Sequence, residues 1–201
     1  AHNGHLTIAK NVLKSQKTRP ERSRRIDKVI LMPVNIHPFG KKLTYSKHRL
    51  AMAKLLEEPH FTEASRGKNI EVSDLELKKN STSYSIDTLS VLTTQYPNDH
   101  FYWIIGSDYL DSFTKWKNWQ KIINDFGLVI IARDTHTDIE RKLKKFVNYD
   151  FKNIIILNAK DFPPLDISSS EIKKKIKEKK SIKNLVPKSV ENYIIKHKLY
   201  K

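Results

Sequence analysis

Apolar residues recur along this chain with two alternating periods. Residues 5–17 place Leu6, Ile8, Ala9, Val12 and Leu13 on one stripe at helical spacing, with Lys10, Lys14 and Lys17 outside it, which predicts an amphipathic helix. A charged connector at 19–25, containing Pro20, leads into 26–34 (IDKVILMPV), whose nearly continuous β-branched character predicts a buried strand. A helix is expected over 45–57 with Leu50, Ala53 and Leu56 inward. Residues 70–77 (IEVSDLEL) alternate strictly, as a half-exposed strand does. The polar linker 78–83 precedes a helix over 86–96 with the stripe Ile86, Leu89, Leu92 and Tyr96, stopped by Pro97. Buried strands are expected at 101–105 (FYWII), 127–132 (GLVIIA) and 154–157 (IIIL), with a helix over 138–147 carrying Ile139, Leu143, Phe146 and Val147. Ser168 with Glu171 three residues on forms a capping box that starts another helix. A last helix begins near Pro187 and runs through Val190, Tyr193 and Ile194.

Strands that alternate with helices and are apolar on both faces imply an α/β fold with a Rossmann-like, doubly wound parallel sheet. No repeat divides the chain, so 1–201 reads as a single domain with a small helical tail from about Ser181. In such sheets ligands lie beyond the carboxyl ends of the strands. That rule gathers the loop 35–42, Gly106-Ser107-Asp108, Arg133 and the Ser168 segment.

Composition narrows the function classes. The chain has 201 residues and no cysteine, which excludes disulfides and thiolate metal sites. No apolar run is long enough to span a membrane, and a cytoplasmic protein without a membrane partner is the expectation. The net charge of +16 favours an anionic partner. Because that charge is spread over many segments without interleaved aromatics, a solvated surface accounts for it better than a nucleic-acid track.

At the start stands His2-Asn3-Gly4-His5, running into the first helix. A helix N-terminus offers backbone N–H groups and a dipole that favours negative charge, glycine admits a close approach, and each imidazole can donate to a phosphate oxygen. Such a four-residue pattern also arises by accident as a solvated histidine pair. Other motifs have equally plain structural readings: Ser168 as a helix cap, Lys173 as a solvated charge, Asp108 as a cap after glycine, Trp116 and Trp119 as core, Tyr84 and Ser85 as helix-start residues. The remaining histidines have no partners at metal-ligand spacing.

Taken in order, these segments resemble the nicotinate/nicotinamide mononucleotide adenylyltransferases, of the HxGH-bearing nucleotidyltransferase superfamily. His2-x-Gly4-His5 matches the nucleotide-phosphate motif. Ile167-Ser168-Ser169-Ser170-Glu171-Ile172-Lys173 resembles the Ile-Ser-Ser-Thr-x-Ile-Arg signature. Trp103-Ile104-Ile105-Gly106-Ser107-Asp108 with Trp116 and Trp119 looks like the Gly-x-Asp loop and its tryptophan-rich segment. Ser83-Tyr84-Ser85-Ile86-Asp87-Thr88-Leu89 is similar to the Ser-Tyr-Thr-x-Asp-Thr-Leu helix start, and Leu185-Val186-Pro187 with Lys198-Leu199-Tyr200 fits the tail. Three departures stand out. The family places a Gly-rich strand ending Phe-Asp-Pro before HxGH, so an N-terminal segment is expected to precede Ala1. Lys173 replaces an arginine, keeping the charge and losing the bidentate fork. The usual Pro-Pro-His-Lys loop reads His37-Pro38-Phe39-Gly40-Lys41.

The resemblance implies attack by a pyridine mononucleotide phosphate on the α-phosphorus of ATP, yielding a dinucleotide and pyrophosphate. It assigns His2, His5, Lys41 and Lys173 to the reacting phosphates. ATP would also be held by Gly4, Gly106, Asp108 (ribose hydroxyls), Ile167, Ser168 and Ser169. The pyridine side would involve Tyr84, Ser85, Trp116, Trp119 and Arg133, with Trp119 marginally favoured for stacking, while His37 and Arg49 are weaker candidates. Mg²⁺ would arrive with ATP, bound mainly by phosphates and water. Nicotinate mononucleotide is the expected acceptor because the motifs look closest to that bacterial branch. Nicotinamide mononucleotide, phosphopantetheine and a basic nucleic-acid-binding α/β domain are the alternatives, and a class I aminoacyl-tRNA synthetase would need a longer chain. A homo-oligomer is compatible with the sequence.

Overall fold

Parallel strand pairing organises both halves of the chain. The computed structural model describes residues 1–16, 26–57, 70–133, 139–146, 153–158 and 167–201. In chain order its elements are α1 (Asn3–Gln16), β1 (Val29–Leu31), α2 (Ser46–Lys54), β2 (Ile70–Val72), α3 (Ser85–Gln95) and β3 (Tyr102–Gly106). There follow α4 (Trp119–Asp125), β4 (Gly127–Ile131), α5 (Ile139–Leu143), β5 (Ile154–Leu157), α6 (Ser169–Lys177) and α7 (Lys188–Lys196). The chain divides into two compact units, one of Ala1–Asn35, Lys41–Asn80 and Asp166–Lys201, the other of Ile36–Gly40 and Ser81–Leu165. Parallel sheets flanked by helices are the architecture that the hydrophobic pattern implies.

In the first unit β1 pairs with β2 in parallel, Val29 opposite Ile70 and Leu31 opposite Val72. Helices α2, α6 and α7 share one core, in which Met52, Leu56, Ile172, Val190 and Ile194 are buried and Leu31, Ile167 and Tyr200 pack against them. Helix α1 buries Ala9 and Val12, the middle of its expected stripe. His48 of α2 shares a hydrogen bond with the Tyr193 hydroxyl of α7 at 3.0 Å.

In the second unit β4 lies between β3 and β5, all parallel, with Trp103 opposite Leu128 and Leu128 opposite Ile154. Leu128, Val129 and Ile130 are fully buried, as a central strand covered on both faces requires. Around them pack Ile86, Leu89, Phe113, Ile122, Ile123 and Phe146.

Several expected elements are shorter or different. The strand expected over 26–34 pairs only at 29–31, and Pro33, which has no N–H to donate, follows at once. The alternation 70–77 is strand only at 70–72; from Asp74 the chain turns, with Lys78 N donating to Asp74 O and Lys79 N to Glu76 O. Glu76, in that turn, is only 4 % exposed. Tyr96 falls beyond the last turn of α3 and is 52 % exposed rather than part of its buried stripe. After Gly106 comes a 3-10 turn at Ser107–Tyr109, not an α-helix, and a second at Phe113–Lys115 before α4. The helix expected over 138–147 divides into α5 and a 3-10 turn at Lys144–Phe146. Lys17, Asp138, Val147 and the 19–25 connector lie outside the described residues. Among the described residues no helix is long and apolar enough to cross a membrane.

Candidate functional site

The first unit gathers the His-Gly-His motif, the serine motif and four cations, Lys41, Arg49, Lys173 and Lys177. His2 immediately precedes α1 and is 7 % exposed, whereas His5, in the first turn, is exposed; their ring centroids lie 3.9 Å apart. The glycine between them is a steric requirement. A Cβ on Gly4 would sit 2.9 Å from His2 Nδ1 and 3.6 Å from the Ile167 Cβ, so any side chain there would push into the His2 ring. The same distances place Ile167, which opens the serine motif, directly beside Gly4. The start of α1 is anchored from the other side: Asn3 N donates to Leu185 O (2.9 Å) and Asn3 Nδ2 to Asn184 O (2.7 Å).

Ser168 caps α6, its Oγ accepting from Glu171 N at 3.1 Å, as the capping box foretells. Ser169 is the first helical residue, and one turn on, half-buried Lys173 lies near Lys41, Arg49 and Lys177. Burial, then the repulsion of Lys41, Arg49 and Lys177, lowers the Lys173 ammonium below the ordinary lysine value. A cation held beside other cations is stabilised by any anion that binds among them. Arg49 also holds backbone. Its Nε donates to Thr44 O (2.8 Å), and its terminal nitrogens donate to the carbonyls of Val34 and Asn35, which ties down the loop after β1. Burial lowers its pKa, while Tyr200 and Glu76 act in the opposite sense.

The second unit holds the other nominated residues at the ends of β3 and β4, which lie side by side, Gly106 opposite Ile131. Arg133 N donates to the Oγ of fully buried Ser107 at 3.1 Å, and Arg133 Nε pairs with Asp108 Oδ1 at 3.4 Å. A Cβ on Gly106 would collide with the Asp108 carboxylate and stand 2.8 Å from Arg133 Nε, so glycine is what permits this crossing. The loop 35–42 is divided: Ile36 bridges to Thr82 and accepts from Ser83 N within the second unit, whereas Lys41 belongs to the first.

Tyr84 stands at the N-cap position of α3 and Ser85 opens it. Lys117, which the sequence motifs did not nominate, lies over the Tyr84 ring, Nζ 4.9 Å from the centroid, and donates to both Asp87 oxygens at 2.9 Å. The sequence signal for it was its place between the two tryptophans. Those tryptophans differ in their surroundings. Trp119 meets Phe113 and Phe146 edge-on in the core, while Trp116 contacts Phe113 on one side and half-exposed Tyr109 on the other. Trp116 Nε1 is buried and without a hydrogen-bond partner among the described residues.

Residues 1–175 match the cytidylyltransferase-like family. The chain is 35 % identical over 203 residues to the probable nicotinate-nucleotide adenylyltransferase of Clostridium tetani, covering all of this chain and 93 % of that protein. It is 32 % identical over 201 residues to the probable nicotinate-nucleotide adenylyltransferase of Caldicellulosiruptor saccharolyticus, with the same coverage. Its fold resembles that of the Plasmodium falciparum nicotinic acid mononucleotide adenylyltransferase complexed with NaAD, with a TM-score of 0.73 and 24 % identity, covering 99 % of this chain and 91 % of that one.

Proposed function

The chain belongs to the nicotinate-nucleotide adenylyltransferases, within the cytidylyltransferase-like family, and on that premise we propose that it transfers the adenylyl group of ATP to nicotinate mononucleotide. The products are deamido-NAD and pyrophosphate. The observation that carries this reading is the meeting of Gly4 with Ile167, which puts His2, His5 and the start of α6 side by side in one unit.

The acceptor phosphate is anionic at neutral pH and needs no base to become a nucleophile. One of its oxygens forms a bond to the α-phosphorus, and the bond from that phosphorus to the oxygen bridging to the β-phosphate breaks, that oxygen leaving with pyrophosphate. The protein's task is alignment and charge stabilisation. His5 contacts the α-phosphate, with His2 beside it. Ser168, Ser169 and the N-terminus of α6 hold the outer phosphates, with Lys173 and Lys41 neutralising them. In the second unit, Asp108, paired with Arg133 where Gly106 admits the crossing, is the candidate for ribose hydroxyls. Mg²⁺ accompanies ATP: the imidazoles and ammonium groups gathered in the first unit suit phosphate oxygens better than a hard cation, so phosphate and water would be its ligands.

For the acceptor, Trp116 and Trp119 are the candidate ring platforms, each already meeting two aromatic side chains, Trp116 those of Tyr109 and Phe113 and Trp119 those of Phe113 and Phe146. Tyr84, Ser85 and Arg133 complete the pyridine side. A pyridine carboxylate would favour backbone N–H or cationic contacts near residues 83–85, and Lys117, which lies over Tyr84 and is paired with Asp87, is the candidate cation there. Pyrophosphate release with ATP, Mg²⁺ and, side by side, nicotinate mononucleotide, nicotinamide mononucleotide and phosphopantetheine tests the reading.

A further inference from the structure

The tail beyond α7 turns back on itself. Lys198 and Tyr200 both take left-handed backbone, φ 49° and 65°, a conformation that bulky residues adopt only when their surroundings impose it. Leu199 N donating to Ile194 O at 3.0 Å fixes the turn. Its result is that the half-buried Tyr200 ring lies under Lys173, Nζ 5.4 Å from the centroid, while its hydroxyl accepts from Thr44 Oγ1 at 3.3 Å. Thr44 in turn offers its carbonyl to Arg49 Nε. Tyr200 thus reaches both the serine-motif lysine and the loop held by Arg49.

A lysine ammonium is a point charge on four rotatable carbons, and its position has to be imposed by what it packs against. Lys173 also stands among like charges that favour its swinging away to solvent. We propose that Tyr200 is a positioning residue for Lys173: the ring face holds the ammonium by cation–π attraction where a polyphosphate meets it. This rests on the reading of Lys173 as a phosphate contact, and it makes the C-terminal tail part of the phosphate locus.

The test is a double-mutant cycle on binding of inorganic tripolyphosphate to the full chain, which requires neither turnover nor a pyridine nucleotide. Tyr200→Leu, which keeps apolar bulk and removes the ring, is expected to weaken binding about three- to tenfold with Lys173 present. It is expected to have no effect in a Lys173→Met background, and Tyr200→Phe to bind within about twofold of wild type. A Tyr200→Leu effect that is absent, or equally large in the Met background, overturns the proposal, as does failure of the wild type to bind tripolyphosphate. If the cycle behaves as expected while the wild type releases no pyrophosphate with nicotinate mononucleotide, the adenylyl-transfer reading fails and the positioning role stands.

Discussion

The rings of His2 and His5 lie 3.9 Å apart, tilted by 44°, and the missing side chain of Gly4 makes room for that arrangement. A Gly4→Ala change therefore pulls stability and activity apart. At the second residue of a helix alanine gains only part of its interior advantage of about 1 kcal/mol, which offsets the cost of moving the His2 ring, so the melting temperature should stay within about 3 °C. The added methyl, 2.9 Å from His2 Nδ1, displaces the ring, and kcat/KM should fall at least about tenfold. Thermal melts with steady-state kinetics check both. A variant that loses stability and activity together would mean that Gly4 is a packing residue only.

Lys117 is the residue proposed to meet the acceptor's carboxylate. Replacing it alone would leave the Asp87 carboxylate uncompensated beside Tyr84, so the informative variant is Lys117→Met with Asp87→Asn. Loss of one charged contact should raise KM for nicotinate mononucleotide about tenfold. KM for nicotinamide mononucleotide should stay within about twofold. Equal losses with both acceptors would remove Lys117 from the recognition of the carboxylate.

Ser168 is a cap, and the question is whether it also meets phosphate. Ser168→Ala should lower stability by about 1 kcal/mol, whereas Ser168→Asp caps equally well and adds negative charge. If the hydroxyl faces phosphate, the aspartate variant melts like wild type and its KM for ATP rises at least about tenfold. An unchanged KM would leave Ser168 a cap alone.

What the sequence made legible was local. FYWII, GLVIIA and IIIL declare buried strands because both faces of each are apolar, and Ser168 announces α6 because a cap is a three-residue relationship. Period-two alternation misled at 74–77, where the same spacing served a turn and Glu76 went inside, near the guanidinium of Arg49. The Gly106 segment looked like a helix cap because Gly-Ser-Asp has the composition of one, yet only a 3-10 turn follows. The motifs brought His2, Gly4, His5, Ile167 and Ser168 into view together. They did not reveal Lys117 over Tyr84 or Tyr200 against Lys173, since the former pairs with an aspartate 30 residues away and the latter with a threonine 156 away. Tertiary packing sets such contacts, and no local period encodes them.

The decisive measurement is pyrophosphate release from ATP, Mg²⁺ and nicotinate mononucleotide, with wild type and His5→Ala compared under conditions where both are folded. Steady turnover is expected of the wild type and a loss of about a hundredfold or more in the variant, the scale of removing one donor aimed at a reacting phosphate. No pyrophosphate with any pyridine mononucleotide, or a His5→Ala enzyme as fast as wild type, would contradict the proposed mechanism.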